Sequence, residues 1–160
     1  MERISGPEIS GPTSHSPNEK DSMMTNHAKG PFDVKLAPQP LALEDRIEGA
    51  TVARMSLDKQ YHGDLDAHSK GEMLSAMTAT QGSAGYVAIE KVDGTLGGRK
   101  GTFVLQHNAT MTRGEPALNI IVVPDSGTGE LEGLSGTMKI IIEAGGKHFY
   151  EFDYKLADAK

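Results

Sequence analysis

Cysteine is absent from the 160-residue chain. That excludes disulfides, thiolate catalysis and cysteine-based zinc sites. Tryptophan is absent too, and tyrosine and phenylalanine number four each. No apolar run approaches the roughly 20 residues that a membrane-spanning helix requires, so no membrane partner is expected. Met1 to Ser22 has no apolar central stretch of the kind a signal peptide needs. Acids and bases are interspersed, with a net charge of −6 and no basic stripe. That argues against a nucleic-acid surface. A cytoplasmic location is expected. Convincing helical periodicity is missing throughout.

Glycine, by contrast, is plentiful at 19 residues, scattered between short apolar runs. This suits turns and tightly curved strands. The length is right for one domain with its own core. Residues 1–30 read as a disordered N-terminal extension. They are rich in Ser, Gly and Pro, with Ser5-Gly6-Pro7 echoed at Ser10-Gly11-Pro12. Too little apolar surface is available there to offset the entropy of ordering. Met23 and Met24 stand where the composition changes, which makes either a candidate for the natural start.

Residues 31–157 read as a β domain of eight strands. Phe32, Val34 and Leu36 alternate with Asp33 and Lys35 before Pro38 and Pro40. A second strand covers Ala50 to Tyr61, with Leu57 and Tyr61 on one face. A third covers Asp66 to Met77 and a fourth Gly85 to Val92, which Asp93-Gly94 ends with a strong turn signal. The fifth, Lys100 to Met111, puts Phe103, Leu105, His107, Ala109 and Met111 on one face. Glu115-Pro116 then turns the chain into Ala117 to Val123. Leu134 to Ala144 and Lys147 to Leu156 complete the set, and the last alternates His148, Tyr150, Phe152, Tyr154 and Leu156 with polar residues. Short loops leave a closed meander barrel or a two-sheet sandwich. Several strands look half-buried on both faces. A barrel accounts for that if a neighbouring subunit covers part of its outside.

The segment Gly127-Thr128-Gly129-Glu130-Leu131-Glu132-Gly133-Leu134-Ser135-Gly136 resembles the G-x-G-x-(aromatic or Leu)-x-G-x-x-G stretch of the allene oxide cyclase and dirigent barrels. Such glycines let a loop pass close over a barrel end. More widely, the chain from about Thr25 to Leu156 resembles a bacterial family named domain of unknown function 3224. The residues carrying this are Arg54-Met55-Ser56-Leu57-Asp58-Lys59-Gln60, His62-Gly63-Asp64-Leu65, Ser69-Lys70-Gly71-Glu72-Met73-Leu74, Gly82-Ser83-Ala84-Gly85-Tyr86, Phe103-Val104-Leu105-Gln106-His107 and Val123-Pro124-Asp125-Ser126-Gly127-Thr128-Gly129. The resemblance implies a single eight-stranded antiparallel meander β-barrel, allene-oxide-cyclase-like, and a homo-oligomer, with a dimer favoured. It implies no established activity, and fold alone carries none.

Six residues are candidates for contact with a small ligand. Glu72 and Glu90 lie in mid-strand. A carboxylate inside a small barrel is desolvated, which raises its pKa and fits it for acid or base work; the alternative is a solvated glutamate facing outwards. His107 shares the apolar face of Phe103 and Leu105, where it could meet a ligand carbonyl or relay a proton; otherwise it is a core or interface histidine. Gln106 then faces the other way. Tyr86 is amphipathic and suits a pocket mouth, although packing alone would also explain it. His62 and Asp64 flank a turn. With Glu72 they are metal-compatible, but the spacing shows only a turn, so no metal is expected. Met55, Met73, Met77, Met111 and Met138 read as gap-filling core. No nucleophile elbow or phosphate loop is present.

Three functions remain open on these residues. The first is a barrel that binds a small, largely apolar molecule, the second a cofactor-free isomerase or cyclase, and the third a structural homo-oligomer.

Overall fold

The computed structural model describes residues 24–43 and 46–157. The extension expected over residues 1–30 falls outside these as far as residue 23. Residues 26–30, however, belong to the first strand, so the domain begins earlier than composition indicated.

The strands are β1 Asn26–Gln39, β2 Arg46–Ile47, β3 Ala50–Tyr61, β4 Leu65–Thr78, β5 Ala84–Leu96, β6 Arg99–Thr112, β7 Glu115–Val122, β8 Ser135–Ile142 and β9 His148–Lys155. A single 3₁₀ turn, Gly129–Leu131, precedes β8. The order around the sheet is β1-β9-β8-β7-β6-β5-β4-β3, and β1 also pairs with β3. Eight long antiparallel strands therefore close into a barrel, and the two-residue β2 hangs on the outer edge of β3. Closure leaves no free sheet edge along most of the wall. Among the described residues no helix is long and apolar enough to cross a membrane.

Register decides which side chains meet inside. One row of cross-strand partners runs round the wall: Ala28, Phe152, Met138, Ile120, His107, Ala88, Met73 and Met55. Period-two alternation along each strand then sends Phe103, Leu105 and His107 inward together.

The two ends of the barrel differ. One end is filled with aromatic and aliphatic side chains. Tyr61, Leu65, Leu96, Phe103, Leu131, Tyr150 and Phe152 are all buried. Phe103 stacks on Phe152 at 5.9 Å between ring centroids, and Tyr61 meets Tyr150 edge-on at 5.4 Å. Each such side chain contributes on the order of 1.5–3 kcal/mol by leaving water. The glycine-rich loop caps this end. Thr128 N–H donates to Thr102 O at 2.8 Å, and Leu131 and Leu134 point into the core. A Cβ at Gly101 would stand 2.0 Å from Thr128 O, so the loop crosses only because that side chain is missing.

The other end is a mouth. Its inward positions carry Leu36, Met77, Met111 and Ile142, all exposed. The wall is also split there. β7 and β8 pair only at Ile120↔Met138 and Ile121↔Thr137, and β1 leaves β9 beyond Phe32↔His148. The β8–β9 hairpin thus stands apart from both neighbours at the rim.

Two expected turns are corrected. Asp93-Gly94 lies within β5, which continues to Leu96 and turns at Gly97-Gly98, both with positive φ. The glycine at 94 serves close approach instead: a Cβ would stand 2.3 Å from Asp66 O and 2.6 Å from Ala67 Cβ. Glu115-Pro116 already belongs to β7. The turn is Arg113-Gly114, with φ of 48° and 91°.

Candidate functional site

The mouth opens into a cavity of about 460 Å³, lined among others by Leu57, Met73, Met77, Ala109, Met111 and Ile140. That is within the 300–1,000 Å³ range of ligand pockets. The lining is mostly apolar, and polar groups gather at its inner end. Lys59, Tyr86 and His107 reach the cavity. Just behind them lie Glu90, Tyr61 and Ser69, all buried.

Parity builds this floor from four strands. Lys59 stands between Leu57 and Tyr61 on the inner face of β3, and Ser69 follows Ala67 on β4. Glu90 lies between Ala88 and Val92 on β5, and His107 follows Leu105 on β6. Gly71 is the register partner of both Leu57 and Glu90. A Cβ there would collide with Ile89 O at 2.2 Å, so the glycine lets β4 and β5 pack closely at this level.

Four donors converge on the Glu90 carboxylate. Its Oε1 accepts from the Tyr61 hydroxyl at 2.5 Å and from Ser69 Oγ at 2.6 Å. Its Oε2 accepts from Lys59 Nζ at 3.0 Å and His107 Nε2 at 2.8 Å. Burial alone would push its pKa up. The His107 hydrogen bond, the Lys59 charge and the two hydroxyls outweigh it and lower the pKa to about 2. This corrects the expectation of a raised, proton-exchanging carboxyl: the desolvation is real, but partners that favour the anion win. Burial, and then the Glu90 charge, hold the Tyr61 phenol well above its usual range. Tyr86 is raised for the same two reasons.

The cluster leaves specific valences free. Lys59 Nζ also lies 3.5 Å from the Tyr61 hydroxyl and over the Phe32 ring at 5.2 Å. An ammonium has three N–H groups, and its third meets no oxygen or nitrogen acceptor among the described residues. The Glu90 carboxylate only accepts, so His107 Nε2 carries a proton. Nδ1 has no protein partner, yet among the described residues no fully buried side-chain nitrogen or oxygen lacks one. Nδ1 is therefore open to the accessible space.

The structure brings together Glu90, His107 and Tyr86 of the six sequence candidates. The Tyr86 and His107 rings are 6.2 Å apart. The other three lie elsewhere. Glu72 points outward and pairs with Arg54; it borders a separate outer groove of about 630 Å³ with Leu74, Val87, Ile89 and Gln106. His62 and Asp64 sit at the β3–β4 turn, at the filled end. His62 Nε2 contacts Asp33 at 3.1 Å, and Asp64 accepts from the Lys29 amide at 2.9 Å. Among the described residues no group of three or more His, Asp or Glu side chains could hold a metal ion.

Lys59, Tyr61 and Ser69 were not singled out in the sequence. A signal for Lys59 existed: it has the parity of Leu57 and Tyr61, so an inward Leu57 implies an inward ammonium that needs a counter-charge.

Comparison with the curated proteins finds no match. Among solved structures, a protein of unknown function from the DUF3224 family of Shewanella oneidensis MR-1 is similar. It is 54% identical, with a TM-score of 0.81, over 85% of this chain and 100% of that one. The profile of the family described as Protein of unknown function (DUF3224) matches residues 28–154, nearly the whole barrel. Barrel, glycine-capped end and quoted segments thus fall inside one match, and the chain belongs to the DUF3224 family.

Proposed function

We propose that the barrel is a binding module for a small, largely apolar molecule held in the mouth cavity. The observation that carries this reading is the combination of a 460 Å³ apolar cavity with a polar cluster gathered on Glu90 at its inner end. Apolar walls supply affinity, and a few placed polar groups orient the guest. The methionines at the rim favour adaptable contact, because their unbranched side chains repack at little cost.

Binding is favoured over proton-transfer catalysis by the state of Glu90. Its oxygens are occupied by four donors and its pKa lies at about 2. A general base works best with a pKa near the operating pH, so this carboxylate reads as the anchor of Lys59 and His107.

The test is titration of the full chain with Nile red, a neutral apolar fluorophore. Saturable binding is expected, at least tenfold weaker in Ala109→Phe, which fills the cavity from β6. Ile89→Glu, on the outer groove, is expected to leave it unchanged. Equal binding by the wild type and Ala109→Phe, or none by the wild type, would count against the reading.

The outer groove supports a second, compatible reading, in which two copies associate through it. Leu74, Val87 and Ile89 are 43%, 54% and 53% exposed on adjoining strands. The Arg54–Glu72 pair beside them offers both signs of charge to a two-fold mate. Light scattering is expected to give the mass of a dimer, and Ile89→Glu that of a monomer. A wild-type monomer would exclude this association.

A further inference from the structure

The chemistry of the cavity floor restricts the head group of the guest, an argument that rests on the binding reading above. Two full charges lie at the floor, Lys59 and Glu90, in contact at 3.0 Å. They cancel. The ionisable groups facing this point from the packed strands are Lys59 and Tyr61 of β3, Tyr86 and Glu90 of β5 and His107 of β6, with His148 of β9 at the cavity wall. None of the others is a carboxylate or an ammonium. What the floor still offers is one N–H of a charged ammonium that meets no oxygen or nitrogen acceptor among the described residues. Lys59 Nζ and His107 Nε2 both reach the same Glu90 oxygen.

An anionic head group would gain Lys59, but it would stand close to the Glu90 carboxylate, which is buried and poorly screened. A cationic one would face the ammonium itself. A hydrocarbon would leave that N–H desolvated and unpaired, which costs free energy. A neutral carbonyl oxygen avoids all three penalties. It accepts the free N–H in a charge-assisted hydrogen bond and adds no charge.

We infer that the cavity selects an apolar molecule ending in a neutral carbonyl group, a ketone, aldehyde, ester or amide, which Lys59 Nζ recognises. The alkyl or ring portion lies against Met73, Ala109 and Ile140 towards the rim, and the carbonyl points inward.

The test is displacement of Nile red from the full chain by four guests of matched length: methyl octyl ketone, decanoate, decylamine and decane. The ketone is expected to displace about tenfold more effectively than the other three, as one hydrogen bond to a charged donor warrants. A preference for decanoate or decylamine, or equal displacement by ketone and decane, would overturn the inference while leaving the binding reading intact. Failure of Nile red itself to bind would remove both. A double variant, Lys59→Met with Glu90→Gln, takes away both charges together, so no lone ion is buried. It is expected to lose the ketone preference over decane, each displacement being read against the variant's own Nile red affinity. Retention of that preference would overturn the role of Lys59, and circular dichroism establishes that the variant is folded.

Discussion

At the scale of single residues, the Glu90 cluster fixes both stability and chemistry. Lys59 and Glu90 are 5% and 0% exposed at the side chain. Removing one partner strands the other in a dry interior. Glu90→Gln is therefore expected to destabilise the barrel by about 3–5 kcal/mol in urea denaturation. The Lys59→Met, Glu90→Gln double variant is expected to lose less, because neither charge remains. A loss below about 1 kcal/mol in the single variant would mean that Lys59 escapes to solvent.

The same carboxylate sets an acid limit. Its folded pKa of about 2 lies below the 4.5 of the free side chain. From pH 4.5 downward the unfolded chain binds this proton and the folded chain does not. The stabilisation is complete above pH 4.5 and is lost as pH falls towards 2, by about 3 kcal/mol in all. The difference in stability between the wild type and Glu90→Gln should shrink across that window. A constant difference from pH 6 to pH 2 would contradict the assignment.

Sequence made His107 visible because its strand alternates without interruption from Phe103. Lys59 stayed hidden for a physical reason. Lysine is ordinarily solvated, and the carboxylate that lets this one be buried stands 31 positions away. A pairing of that kind exists only once the barrel has closed.

At the scale of elements, strands with clean period-two alternation were legible, and β6 and β9 are the best cases. The misread points were those where local turn chemistry competes with tertiary contact. Asp93-Gly94 has the composition of a hairpin turn, yet β4 passes so near that only glycine fits at 94. Gly94→Ala is expected to destabilise by about 1–3 kcal/mol through overpacking. Gly85→Ala is the control. Its Cβ would meet nothing nearer than 3.4 Å, so the change is expected to be neutral or stabilising by a few tenths of a kcal/mol. Thermal denaturation of both variants separates the two roles. Equal effects would mean that close approach at 94 does not decide its identity.

At the scale of the molecule, the barrel is asymmetric along its axis. One end is sealed by aromatic packing and the Gly129–Leu131 turn. The other opens where β7 and β8 share only two register pairs. Composition and turn spacing suffice for an all-β domain and leave barrel or sandwich open; the family resemblance implies the barrel, but not which end is open. That depends on where pairing stops, a property of register between strands far apart in sequence. Met77 and Met111 illustrate the point. As sequence they read as core, yet they line an exposed rim, 66% and 43% accessible. The open end and the cluster beneath it together make the case for an internal guest.

The most direct test of that case is the response of methyl resonances to Nile red in the full chain, with methionine, leucine and isoleucine methyls labelled. Ring-current shifts are expected at Met73, Met77, Met111 and Ile140, saturating together, while Leu74 and Ile89 on the outer groove stay still. Shifts confined to Leu74 and Ile89, with the rim methionines unmoved, would place the guest outside the barrel and contradict the account.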